Sequence, residues 1–120
     1  MSNTPLTRFQ AAMAAMATGD EQQLAEFYSE ETTYWDPLSG SITGLDVVPY
    51  LAGIGRQLEG ITVQVESVME DGRSACIEWV QRSRTSQGAH SLRGSTFVTV
   101  RHGIITRQHD YFDYRASRRG

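Results

Sequence analysis

Three carboxylates sit where strand geometry can aim them at aromatic and apolar neighbours. Side chains two apart on a strand share a face, so Tyr34 points with Asp36, and Gln108 with Asp110 and Phe112. The same arithmetic puts Cys76, Glu78, Val80 and Arg82 on one face of a further strand, opposite Ile77 and Trp79. If Cys76 and Val80 turn inward, Glu78 goes with them, and a buried carboxylate must neutralise, pair or be hydrogen-bonded. Carboxylates that converge in an apolar pocket cannot all ionise cheaply. One then keeps its proton and serves as an acid while another serves as a base. Each residue also has a plainer use. Asp36 precedes Pro37 and suits turn chemistry, Glu78 could face solvent beside Arg82, and His109 and Tyr111 fall on the face opposite Asp110, as surface or interface residues.

The elements that must position these groups can be read along the chain. Thr4-Pro5 makes an N-cap and a favoured first helical position, and Leu6, Phe9, Met13 and Met16 recur on one face of a helix that runs to about Thr18. Gly19 stops it, and Asp20 with Gln23 forms a capping-box pattern for a second helix burying Leu24, Phe27 and Tyr28. A β-prone stretch, Thr32 to Asp36, ends at Pro37 and a loop of Ser39, Gly40 and Ser41. Val47, Val48, Leu51, Ile54 and Leu58 outline a third helix with Asp46 as N-cap and Pro49 in its first turn. Gly53 and Gly55 weaken that helix or let something approach closely. From Gly60 the pattern alternates: Ile61, Val63 and Val65, the Asp71-Gly72 turn, a strand through Ile77 and Trp79, and a break at Ser86 to Gly88. A strand around Phe97 to Val100 and a last one from Ile104 to Phe112 follow, joined by the His102-Gly103 turn. Helices followed by hairpin-linked strands give an α+β domain, since parallel βαβ units need helices between strands.

Composition bounds the partners. The 120 residues suffice for one core, so residues 1–120 are expected to form one domain, ordered over about 4–114. A net charge of -3 offers no footprint for nucleic acid, and the basic cluster Arg115, Arg118 and Arg119 reads as a frayed tail. The single cysteine, Cys76, excludes an intrachain disulfide and fits a small buried side chain in a reducing compartment. No apolar run approaches the ~18 residues that span a bilayer and no signal-peptide pattern opens the chain, so a cytoplasmic location is expected. His90, His102 and His109 lack metal-ligand spacing, so no metal is expected.

The order of elements, the strand end Tyr34-Trp35-Asp36-Pro37, and the closing His109-Asp110-Tyr111-Phe112-Asp113 together resemble the nuclear transport factor two-like superfamily, its SnoaL-like branch most closely. The resemblance covers nearly the whole chain, from Pro5 to Asp113. It implies a cone-shaped, cystatin-like fold, three N-terminal helices packed on a strongly curved, mostly antiparallel sheet, with a pocket inside and a homodimer across the outer sheet face. The superfamily holds ketosteroid isomerases, limonene-type epoxide hydrolases, polyketide cyclases, dehydratases and non-enzymatic binders, so residues must decide.

By resemblance to ketosteroid isomerases Asp36 is the general base, but the oxyanion tyrosine falls near Ala12 and the second oxyanion acid near Thr96. Losing such donors removes a contribution of several kcal/mol, which disfavours steroid isomerisation. By resemblance to the epoxide hydrolases Tyr34 and Asp110 hold the attacking water, with Asp36 in place of an Asn and Glu78 near the proton donor. The orienting Arg falls at Cys76, leaving only Arg82 to substitute. SnoaL-like cyclases place an acid–base Asp where Asp110 stands. The expected catalytic set is therefore Asp36, Asp110, Glu78 and Tyr34, with Trp35, Gln108, Phe112, Val80 and Leu51 as the ligand-binding wall. The expected activity is acid–base isomerisation, hydration or cyclisation of a small apolar organic molecule without a cofactor. The alternatives are a non-catalytic binder of a hydrophobic ligand and a dimeric scaffold of the same fold.

Overall fold

The Thr4 hydroxyl accepts a hydrogen bond from the Thr7 amide, Pro5 fills the first turn, and helix α1 runs Pro5–Thr18 until Gly19 (φ 71°) ends it. The computed structural model describes residues 3–113 and the two-residue strand Arg118–Arg119. Helix α2, Glu21–Ala25, is capped by the Asp20 carboxylate, which accepts from the Gln22 and Gln23 amides. The Gln23 side chain donates to that same carboxylate, so the capping box is only half made. Leu24 and, beyond the helix, Tyr28 are buried, while Phe27 is half-buried beneath the Arg8 guanidinium, 4.4 Å from its ring centroid.

Helix α3 spans Val47–Gln57 and follows a 3-10 turn, Gly44–Asp46. Asp46 does not cap it as expected: its backbone is already helical (φ -64°, ψ -19°) and its side chain makes no cap bond. The 3-10 turn carries the helical conformation back past Asp46, leaving it inside the boundary.

The strands are β1 (Thr33–Asp36), β2 (Gly40–Thr43), β3 (Glu59–Glu70), β4 (Ser74–Thr85), β5 (Gly88–Arg101), β6 (Ile104–Phe112) and β7 (Arg118–Arg119). They form one mixed sheet in the order β2-β1-β6-β5-β4-β3, with β7 paired to β5. Every pairing is antiparallel except β1 with β6, which is parallel and sets Tyr34 opposite Gln108. Strand β2 replaces the expected loop. Its sequence gives little strand signal beyond Ile42, and its place is fixed by folding back on β1 as a hairpin. Arg118 and Arg119 pair with Ser91 and His90 instead of fraying, and Arg115 lies outside the described residues. The His102-Gly103 turn has two left-handed residues (φ 53° and 79°), as tight hairpins favour.

Strand β4 reverses one expectation. Ala75, Ile77 and Trp79 are buried on the inner face, while Cys76, Glu78 and Arg82 are exposed on the outer one. The choice follows from size: turning Ile77 and Trp79 inward buries far more apolar area than turning Cys76 and Val80 inward, and a one-residue slip would exchange the two sets. Val80 is buried on the outer side between its cross-strand partners Gln64 and Arg93.

The helices cover the inner face of the sheet, and one core joins Phe9, Met16, Leu51, Ile77, Val98 and Ile105. α3 crosses α1 so closely that a Cβ on Gly55 would lie 1.8 Å from the Met16 carbonyl oxygen, whereas one on Gly53 would meet nothing nearer than Arg56 at 4.0 Å. Of these two, Gly55 is therefore the close-approach glycine. Urea denaturation should find Gly55→Ala destabilised by about 1–3 kcal/mol. Gly53→Ala should be neutral or up to about 1 kcal/mol more stable, from helix propensity alone.

Candidate active site

Strand β1 delivers Tyr34 and Asp36 to the inner face, and its parallel neighbour β6 delivers Gln108 and Asp110 beside them. Asp36 is 1% exposed and Asp110 8%, so both carboxyls leave water and depend on local donors. Asp36 is fully supplied. Its Oδ1 accepts from the amides of Leu38 (2.8 Å) and Ser39 (2.7 Å), which fold the turn after Pro37 around it. Its Oδ2 accepts from the hydroxyls of Tyr34 (2.6 Å) and Tyr50 (2.7 Å). Burial pushes this carboxyl up, but the bonds from Tyr34, Ser39, Tyr50 and Leu38 outweigh it and hold the group below the ordinary carboxylate value.

Asp110 has the opposite balance. Burial, with the nearby Asp36 charge, raises it to about 6, and the bonds it accepts from Thr96 and Gln108 offset this only in part. The directions of those bonds follow from donor chemistry. The Trp79 indole N–H can only donate, and it reaches Thr96 Oγ1 at 2.8 Å, so the Thr96 hydroxyl proton is free to go to Asp110 Oδ1 at 2.7 Å. Tyr28 donates to Gln108 Oε1 at 2.7 Å, which turns the Gln108 amide nitrogen toward both Asp110 oxygens, each at 3.3 Å.

The Tyr34 hydroxyl lies between the two acids, 2.6 Å from Asp36 Oδ2 and 3.0 Å from Asp110 Oδ2. A phenol has one proton and cannot donate to both. With that proton on Asp36, the Tyr34 oxygen is an acceptor for a proton carried by Asp110. Burial and the two negative neighbours hold the Tyr34 phenol far above its usual range, so it stays neutral and bridges rather than ionises.

These groups form one end of a cavity of about 370 Å³. Phe9, Met13, Leu51, Ile54, Val63 and Phe112 contribute to its apolar wall. Of the expected site residues, Asp36, Asp110 and Tyr34 converge here, Leu51 and Phe112 line the cavity, and Gln108 supports Asp110 from behind. Glu78 does not join them: it is exposed on the outer face, where the Ser67 hydroxyl donates to it. Val80 shares that face, and Trp35 also faces out, its ring 5.3 Å from that of Tyr111. Arg82 donates to Gln64 at 2.9 Å on the same exposed side, so it does not stand in for an orienting Arg. Among the described residues no group of three or more His, Cys, Asp or Glu could hold a metal ion.

The sequence reading missed Tyr50, Thr96 and Trp79 as members of the site. Tyr50 lies three residues after Val47 and four before Ile54, so a hydroxyl interrupting that helical row was the available signal. Thr96 is likewise the polar member of the inward row Thr96, Val98, Val100.

Two outcomes follow for Asp110. Thr96→Val, which removes a donor to the ionised form, should move the Asp110 midpoint above about 6 in a carboxyl-detected NMR titration, and an unmoved midpoint would contradict this geometry. Because the folded-state value lies above the ordinary 3.8, the protonated carboxyl contributes stability that is complete below about pH 4 and is lost as pH rises through about 6. Denaturation should therefore find wild type weakening relative to Asp110→Asn across that window, by on the order of 3 kcal/mol.

The SnoaL-like domain family matches residues 9–108. No curated protein matches the chain in sequence. Among solved structures, RV0760c from Mycobacterium tuberculosis superposes with a TM-score of 0.83 at 18% identity, over 100% of this chain and 98% of that one. An epoxide hydrolase of the limonene-hydrolase-like type from the same organism gives 0.78 at 17% identity, over 96% and 84%. A SnoaL-like polyketide cyclase from Shewanella denitrificans gives 0.74 at 15% identity, over 92% and 91%. These likenesses confirm the expected nuclear transport factor two-like fold, and with five-sixths of its length matched the chain belongs to the SnoaL-like domain family.

Proposed function

We propose that this chain is an acid–base enzyme that moves a proton at a carbon beside a carbonyl of a small, largely apolar molecule, with isomerisation or ring closure as the outcome. The reading rests on the opposed pair of carboxyls, Asp36 held low and Asp110 raised to about 6, joined through the Tyr34 hydroxyl at the end of an apolar cavity. A group titrating near 6 is mostly ionised at neutral pH yet basic enough to take a proton, the compromise that general-base catalysis favours. Asp36, with four donors on its two oxygens, is a poor base, and its role in this scheme is to anchor Tyr34 and Tyr50.

The Asp110 carboxylate takes the proton from carbon while the electron pair moves onto the carbonyl oxygen. In isomerisation Asp110 returns that proton to a different carbon. In ring closure the carbanion attacks a second carbonyl of the same molecule and the alkoxide formed takes the proton. Tyr50, half-buried in the cavity wall, is the hydroxyl able to turn from Asp36 toward the developing oxyanion, because Asp36 keeps three other donors. Epoxide hydration is less well supported, since Cys76 and Glu78, at the positions of its orienting and proton-donating residues, are exposed on the other face.

On a panel of β,γ-unsaturated ketones and poly-β-ketones, Asp110→Asn should lower kcat by about 10² to 10⁴-fold. Wild-type kcat/KM should fall as pH drops below about 6, where Asp110 gains its proton. Turnover that survives the substitution would remove Asp110 from the mechanism. Tight ligand binding without turnover in either protein would favour a non-catalytic binder.

A further inference from the structure

The cavity has a second polar end. Beyond Trp79 the inward positions of β4 are Gln81, Ser83 and Thr85, and across the pairing on β5 lie His90 and Ser91, all lining the same cavity as Asp110. A half-buried strand is expected to turn apolar residues to its covered face and polar ones to solvent. Here the inward row becomes polar while exposed Arg82 and Arg84 alternate with it, so alternation continues but both faces are polar. Ser83 is only 8% exposed, lines the cavity, and its hydroxyl is hydrogen-bonded by none of the described residues. No polar side-chain atom of the described residues is sealed from water without a partner, so this hydroxyl opens onto the cavity and can bond to a molecule that enters it. Opposite Ser83 in the register, His90 holds Nε2 2.9 Å from Thr85 Oγ1, which orients its ring.

We propose that Ser83, with Thr85 and His90, forms a second binding subsite that recognises a neutral oxygen, a hydroxyl or carbonyl, at the far end of an elongated substrate. This deepens the acid–base reading above and rests on it for which end reacts. Length follows from strand geometry: Thr96, which holds Asp110, is six residues from His90 along β5, or about 20 Å of strand less the reach of the side chains at each end. Between the two ends the wall is apolar, with Leu58, Val63 and Leu92 among its members, which suits a hydrocarbon middle. A carboxylate tail is disfavoured because, among the described residues lining the cavity, only His90 can carry a positive charge, and Asp36 and Asp110 already stand in it.

The test compares two probes of equal heavy-atom count by isothermal titration calorimetry, 4-octylphenol and 4-(7-hydroxyheptyl)phenol, on wild type, Ser83→Ala and Ser83→Val. Wild type should bind the hydroxyl-tailed probe at least as tightly as the alkyl-tailed one, and Ser83→Ala should lower that ratio by about fivefold to tenfold. Ser83→Val, which fills the space with methyl groups, should favour the alkyl tail outright. An unchanged ratio across the three proteins overturns the subsite, as does binding of neither probe by wild type. The acid–base reading is judged separately, by turnover in Asp110→Asn, so either conclusion can fail while the other stands.

Discussion

One hydroxyl proton between two buried carboxyls organises this protein. Tyr34 can satisfy Asp36 or Asp110 as a donor, not both, and the surrounding donors decide which. Two backbone amides and a second tyrosine already converge on Asp36, so the negative charge settles there and the remaining proton affinity settles on Asp110. The turn after Pro37, the placement of Tyr50 on α3 and the chain from Trp79 through Thr96 all serve that division. Disturbing any of them changes the charge state of the cavity as well as its shape.

The division also changes how Asp36 is understood. By resemblance it stands where related isomerases keep a base, but its surroundings are those of a structural anion: it closes a turn and fixes two phenols. Residue identity at a position is thus a weaker guide than the number of donors aimed at it. Asp110 has fewer donor groups and mostly longer bonds, too weak to offset its burial, which are the conditions that make a carboxyl basic near neutral pH.

Much of this was legible in the sequence because local signals and period agreed. Thr4-Pro5, Gly19 and Asp20 bound their helices as read, and the two-residue spacing of Tyr34 and Asp36 placed both on the inner face. Strand period fixes which residues share a face but not which face turns inward, and on β4 that second choice depended on the bulk of Ile77 and Trp79, not on Cys76 and Val80. Glu78 therefore left the site together with its whole row. Tyr50 and Thr96 were hidden for two other reasons: Tyr50 reaches Asp36 only through the packing of α3, and Thr96 stands opposite Asp110 across the β5–β6 hairpin only because an irregularity at Thr99 and Val100 shifts the register. The β2 strand was hidden as well, since its glycine, serine and threonine residues take strand form only when β1 lies beside them.

The parallel pairing of β1 with β6 has a consequence in time. Tyr34 and Asp110 are 76 residues apart, and the strand that carries Asp110 is the last long one in the chain. Ordering contacts of that separation requires closing a large loop before the pairing returns any stabilisation, which slows folding relative to a fold of local contacts. During synthesis β1 can pair with β2 early yet lacks its other neighbour until β6 has left the ribosome, so the edge of β1 that meets β6 waits unpaired. The chemistry of this protein is thus among the last things the nascent chain can assemble, and a chain interrupted before Ile104 would hold α1 to α3 and β1 to β5 but no pair of carboxyls.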